Sequence, residues 1–119
     1  MFHRTIANTH IEYIASDALK NLTESLSQLE LRNNPIHSIG KEAFTNLPNL
    51  KELVISSARK LKTFPDLSGT NGLEHLRIDR GEIALIPPMI CEWAPKLKSL
   101  WVKSRVCVVF SLDVLADVC

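Results

Sequence analysis

Apolar residues return along this chain at an almost constant interval. Leu26-Ser-Gln-Leu29-Glu-Leu31, Leu50-Lys-Glu-Leu53-Val-Ile55, Leu73-Glu-His-Leu76-Arg-Ile78 and Leu97-Lys-Ser-Leu100-Trp-Val102 share one spacing, and their starts lie 24, 23 and 24 residues apart. In each phrase the fourth and sixth positions are apolar and two residues apart, so both fall on one face of a short strand. The residue between them and the residue after them face the other way. In the first full unit Ile36, Ile39, Phe44 and Leu47 follow. Asn34-Pro35 turns the chain there, because proline cannot extend a strand and asparagine tolerates turn conformations. Residues 41–46 then read as a short return segment, open to helix, with Phe44 closing the core from behind.

A period of about 20–29 residues carrying L-x-x-L-x-L predicts an α/β leucine-rich-repeat solenoid. Its curved parallel sheet lines the concave side, and irregular or short-helical segments line the convex side. Each unit has only one apolar strip and buries it only by stacking on neighbours. The repeats divide as 26–49, 50–72 and 73–96, with partial units at 1–25 and 97–105, so the array reads as incomplete at both ends. In the first partial unit Ile6, Ile11, Ile14, Leu19 and Leu22 fit the frame. Residues 106–119 form an apolar tail that does not match, although Phe110, Leu115 and Val118 fall at apolar frame positions. Helical hairpins are excluded by the period-two strands and by proline in every full repeat. No G-x-G-x-x-G follows any strand, which excludes a Rossmann fold.

Repeat position nine ordinarily holds an asparagine that binds backbone groups where the strand ends. Only Asn34 occupies it; Thr9, Ala58, Gly81 and Arg105 stand at the other equivalents. Irregular turns are expected around 56–62 and 79–83. The second full unit also loses two residues in its return Pro65-Asp-Leu-Ser-Gly-Thr70.

Composition narrows the function classes. With 45% apolar and 23% charged residues, the chain is an ordinary folding sequence. A net charge of +1 argues against a nucleic-acid binder, and Lys96, Lys98, Lys103 and Arg105 beside Trp101 read as a solvated face. Neither a signal peptide nor a transmembrane segment is visible. Three cysteines, Cys91, Cys107 and Cys119, are too few for a disulfide scaffold. Asn21-Leu-Thr is a candidate N-glycosylation sequon.

Candidate chemistry is sparse. Four scattered histidines, without H-E-x-x-H or C-x-x-C, give no metal site and no cofactor is implied. No G-x-S-x-G elbow or phosphate loop is present, so the chain reads as no enzyme and takes no small-molecule substrate. Glu30, Glu52 and Asp79 share the concave face with Arg32, Arg77 and Arg80, which reads as ion pairing. The candidate protein-binding positions are the outward strand residues Glu30, Arg32, Asn33, Val54, Ser56, Arg77, Asp79, Arg80, Trp101 and Lys103. An exposed tryptophan, Trp101, beside arginine is the composition of an interface hot spot, the alternative being a tryptophan that merely covers the sheet near the end of the array.

The segment Phe64-Pro-Asp-Leu-Ser-Gly-Thr-Asn-Gly-Leu-Glu-His-Leu76, with Leu53-Val-Ile-Ser and Ile86-Pro-Pro-Met-Ile-Cys91, resembles leucine-rich-repeat G-protein-coupled receptor ectodomains. It is most similar to the R-spondin-receptor branch, over about residues 26–105. The resemblance implies an extracellular, glycosylated module that binds a protein ligand or hormone. Signalling would pass through a seven-helix domain absent here, and only those missing parts would meet the membrane. It also implies that Cys91 pairs with a cysteine of the next repeat. Cys107 comes early in the frame and Cys119 lies near the expected place, so that pairing stays open. The alternative is an intracellular repeat scaffold with free thiols and no receptor role.

Overall fold

A computed structural model describes residues 2–22, 24–83, 85–104 and 110–112. In chain order its strands are β1 (Phe2–Ala7), β2 (Tyr13–Ile14), β3 (Leu26–Arg32), β4 (Ser38–Ile39), β5 (Glu52–Ser56), β6 (His75–Gly81), β7 (Ser99–Ser104) and β8 (Phe110–Leu112). The order β1-β3-β5-β6-β7-β8 makes one sheet, parallel throughout except for β8, which runs antiparallel to β7. A small parallel pair of β2 and β4 lies apart from it. The chain is therefore a leucine-rich-repeat solenoid, one strand per coil.

The leucine phrases superpose residue for residue. Leu29, Leu53, Leu76 and Leu100 are register partners, as are Leu31, Ile55, Ile78 and Val102. All eight are buried, with Leu26, Leu50 and Leu73 beneath them. Full burial of such a side chain contributes about 1.5–3 kcal/mol. Ile36, Leu61 and Ile83 continue the core past the strands, and Phe44 closes it from behind. In the first coil Ile14 and Leu19 are buried, while Ile6, Ile11 and Leu22 pack against the core from partly covered positions.

The convex side is mostly irregular. Among the described residues it is helical only at a 3-10 turn, Lys20–Leu22, and at the short α1 (Ile90–Trp93). Residues 41–46 form turns, not helix: Ala43 N–H donates to Gly40 O at 3.0 Å and Thr45 N–H to Glu42 O at 3.4 Å. Asn46 then takes φ 57° and donates its N–H to Ser68 O of the next coil at 2.9 Å. A helix there would need that donor for itself.

The shortened return packs closely on this turn. Gly69 has φ 79°, and a Cβ there would sit 3.0 Å from Asn46 N. Asp66 Oδ1 accepts the Ser68 N–H at 2.9 Å. Leu67 enters the core, and Thr70 has no exposed surface. The Thr70 hydroxyl donates to Phe44 O at 2.6 Å and accepts the Leu47 N–H at 3.3 Å. One side chain thus satisfies two backbone groups of the preceding coil, which lack partners of their own.

Strand exits follow a rule of their own. Asn8, Asn33, Ser57 and Arg80 have φ of 56°, 52°, 59° and 57°. The Asn8, Asn33 and Ser57 N–H groups donate to Arg32 O, Ser56 O and Asp79 O of the following coils. The exit therefore keeps its shape at Ser57 despite Ala58. There the Leu61 N–H closes onto Ala58 O at 3.0 Å, replacing an asparagine amide with a backbone turn. An irregularity does appear between Asp79 and Gly81, where the pairing with β7 shifts register. Asn34 shows the ordinary solution: its Oδ1 accepts from Thr9 N and Thr9 Oγ1 (3.1 and 2.6 Å), and its Nδ2 donates to Ile6 O at 3.0 Å.

Phe110, in the apolar tail read as not matching the repeats, lies in β8, paired antiparallel with Val102, so this segment does not add a parallel coil strand. Arg105, Cys107, Leu115, Val118 and Cys119 lie outside the described residues.

Candidate functional site

Three rows of side chains cross the concave sheet because a period-two strand sends every second residue outward. The first row is His3, Gln28, Glu52, His75 and Ser99. Thr5, Glu30, Val54, Arg77 and Trp101 make the second; Ala7, Arg32, Ser56, Asp79 and Lys103 make the third. Glu30, Arg32, Val54, Ser56, Arg77, Asp79, Trp101 and Lys103 thus share one surface. Val54 is the most covered of them, at 9% exposure. Asn33 and Arg80 lie one residue beyond the third row, at the strand exits where φ turns positive. Asn33 Nδ2 donates to Asn8 Oδ1 at 2.8 Å across the coils.

The carboxylates of this face are engaged within it. Glu30 Oε2 accepts from Arg32 Nε at 2.8 Å, and its other oxygen is 3.6 Å from His3 Nε2. Glu52 Oε2 accepts from Gln28 Nε2 at 3.2 Å. Asp79 takes Ser56 Oγ on one oxygen at 2.8 Å and Arg77 Nε on the other at 3.2 Å. Such bonds hold the side chains in fixed rotamers, and their net electrostatic contribution is small where solvent reaches them.

Around β6 and β7 the surface dips into a hollow of about 360 Å3, lined chiefly by Glu52, Val54, His75, Arg77, Ser99 and Trp101. The Arg77 guanidinium carbon lies 5.7 Å from the centre of the Trp101 ring, a cation–π distance. His75 Nδ1 and Ser99 Oγ are 2.8 Å apart on the opposite side. The Trp101 Nε1–H is covered and has no hydrogen-bond partner. Gln28, His75 and Ser99 were not among the sequence candidates. The signal for them existed, since the third residue of every L-x-x-L phrase shares the outward face.

Beside the face, Lys98 Nζ lies 2.8 Å from Glu74 Oε1. The hydrogen bond and charge of Lys98 hold the Glu74 carboxyl below its ordinary value. Cys91 is disulfide-bonded, and its partner lies outside the described residues. Asn21 sits exposed within the 3-10 turn, and Thr23 of its sequon lies outside the described residues. Among the described residues no group of three or more His, Cys, Asp or Glu could hold a metal ion. None of their helices is long and apolar enough to cross a membrane.

Known proteins share this pattern. The leucine-rich-repeat profile, described as "Leucine rich repeat", matches residues 5–57 and again 24–83. The chain is 36% identical over 74 residues to leucine-rich repeat-containing G-protein coupled receptor 5A of Xenopus laevis, covering 62% of this chain and 8% of that receptor. It is 38% identical over 68 residues to receptor 5 of Homo sapiens, covering 57% of this chain and 8% of the receptor. With receptor 6 of Danio rerio the identity is 40% over 67 residues, covering 56% of the chain and 7% of the receptor. The chain thus spans about a twelfth of the length of these curated relatives. The matched residues take in β3, β5 and β6 of the concave sheet, and the chain belongs to the leucine-rich-repeat family.

Proposed function

We propose that this chain is a non-enzymatic protein-binding module whose concave sheet contacts an extracellular protein ligand, as part of a receptor. The observation that carries this reading is the Arg77–Trp101 pair, an arginine over a half-covered tryptophan in an open hollow. Arginine and tryptophan are the residue types that dominate interface energetics. Similarity to G-protein coupled receptors supports the receptor role, with signalling through a seven-helix domain outside this chain. The disulfide at Cys91 favours an oxidising, extracellular setting over a cytosolic scaffold. In that setting Asn21 is a candidate glycosylation site.

The test is a binding screen against an array of secreted proteins, followed by charge reversal on each side of the solenoid. Arg32→Glu or Arg77→Glu should abolish binding of a captured ligand. Lys41→Glu, on the turn behind the sheet, should not. Loss of binding only with Lys41→Glu would overturn the reading.

A further inference from the structure

The donors and acceptors of the concave face are not evenly spent. Every carboxylate on it has a partner within the sheet: Glu30 with Arg32 and His3, Glu52 with Gln28, Asp79 with Ser56 and Arg77. Exposed cationic donors gather on β6, β7 and the β6 exit, and the terminal amino groups of Arg32 on β3 add to them. Trp101 Nε1–H is covered and does not add to them. Arg77 uses only its Nε, on Asp79, and its side chain is 58% exposed, so both terminal amino groups remain available. Arg80 and Lys103 are exposed and make no ion pair among the described residues.

From this asymmetry we infer that the hollow between β5 and β7 receives a carboxylate side chain from an acidic segment of the protein ligand. The carboxylate binds the terminal amino groups of Arg77, with Arg80 and Lys103 drawing in neighbouring acidic residues. This rests on the concave face being the ligand-contact surface, and it specifies the chemistry of the contact. An arginine fork accepts a carboxylate through parallel charge-assisted bonds. Asp79 already fixes Arg77 through its Nε, so little rotamer freedom is lost on binding. The ring beneath the guanidinium has the same effect.

The probe is a deca-glutamate peptide, titrated into the full chain at physiological salt and followed by tryptophan fluorescence and calorimetry. A deca-lysine peptide and a heparin-derived oligosaccharide serve as comparisons. The expected result is binding of the glutamate peptide with an emission change. Arg77→Gln should weaken it by about tenfold or more, as loss of a charged hydrogen-bonding group requires. Arg80→Gln and Lys103→Gln should weaken it by smaller factors, and Lys96→Gln, off this face, should have no effect. Trp101→Phe should remove the emission change and weaken binding, with circular dichroism showing that each variant remains folded. Absence of glutamate-peptide binding, equal binding by Arg77→Gln, or preference for the oligosaccharide would each overturn the inference. In those cases concave charge reversals that still abolish capture of a secreted protein would leave the broader function standing. Capture insensitive to them would remove both.

Discussion

Thr70 Oγ1 donates to the carbonyl of Phe44 at 2.6 Å across 26 residues of sequence, with no solvent reaching either group. The same oxygen accepts the Leu47 N–H, so the shortened coil is bolted to its predecessor through one hydroxyl. Thr70→Val keeps the shape and removes both bonds. Stability should fall by about 2 kcal/mol or more, because two buried backbone groups lose their partner. Thr70→Ser should recover most of that loss, and urea unfolding of the three proteins checks the order.

Ser57 carries φ 59° at a strand exit where two other coils place asparagine. A serine resists that conformation more than asparagine does. Ser57→Asn should therefore stabilise the chain by about 0.5 kcal/mol, read as a raised thermal midpoint. Asn33→Val, placing a β-branched residue at φ 52°, should cost about 1–2 kcal/mol. Equal midpoints for all three proteins would refute the strain argument.

Leu76 and Arg77 are adjacent and face opposite ways, Leu76 being 1% exposed and Arg77 open to solvent. Leu76→Asp buries an unpaired charge and should unfold the array, with a loss of about 3 kcal/mol or more. Arg77→Gln should keep the native circular dichroism. Similar stability for the two variants would contradict the strand register.

Glu74 titrates low because Lys98 hydrogen-bonds and attracts its carboxylate. A depressed folded value means the ion pair adds stability above the unfolded carboxyl value and loses it as pH falls through the folded one. Lys98→Met should then lower the thermal midpoint slightly at about pH 7, and the difference should shrink as pH falls through the folded value. The effect is small because Lys98 is exposed and solvent also reaches part of Glu74.

The solenoid was legible because its cause is local. Leu29, Leu53, Leu76 and Leu100 stand in register for the same reason that their phrases repeat: each strand has one apolar face. The outward rows, including Trp101 beside Arg77, follow from the same alternation. What escaped was set by distant partners. A threonine in a polar return carries no sign that it will be buried, since the need for Thr70 comes from Phe44 and Leu47 in another coil. Ser57 and Arg80 do not announce a positive φ, which the coil path imposes on them. The turns at 41–46 replaced a candidate helix because Asn46 gives its N–H to Ser68. Phe110 fitted the repeat frame by apolar character alone, and strand direction is not encoded in that frame.

The parallel ladder joins each coil only to the coils immediately before and after it, from β1 through β3, β5 and β6 to β7. Such a ladder behaves as a chain of links, and loosening at one link weakens its neighbours without reaching the whole. The hollow that holds Arg77 and Trp101 spans two adjacent links, so ligand occupancy there should cross-brace β6 to β7. Amide exchange would show this as protection confined to those strands and the coils flanking them, with β1 unchanged.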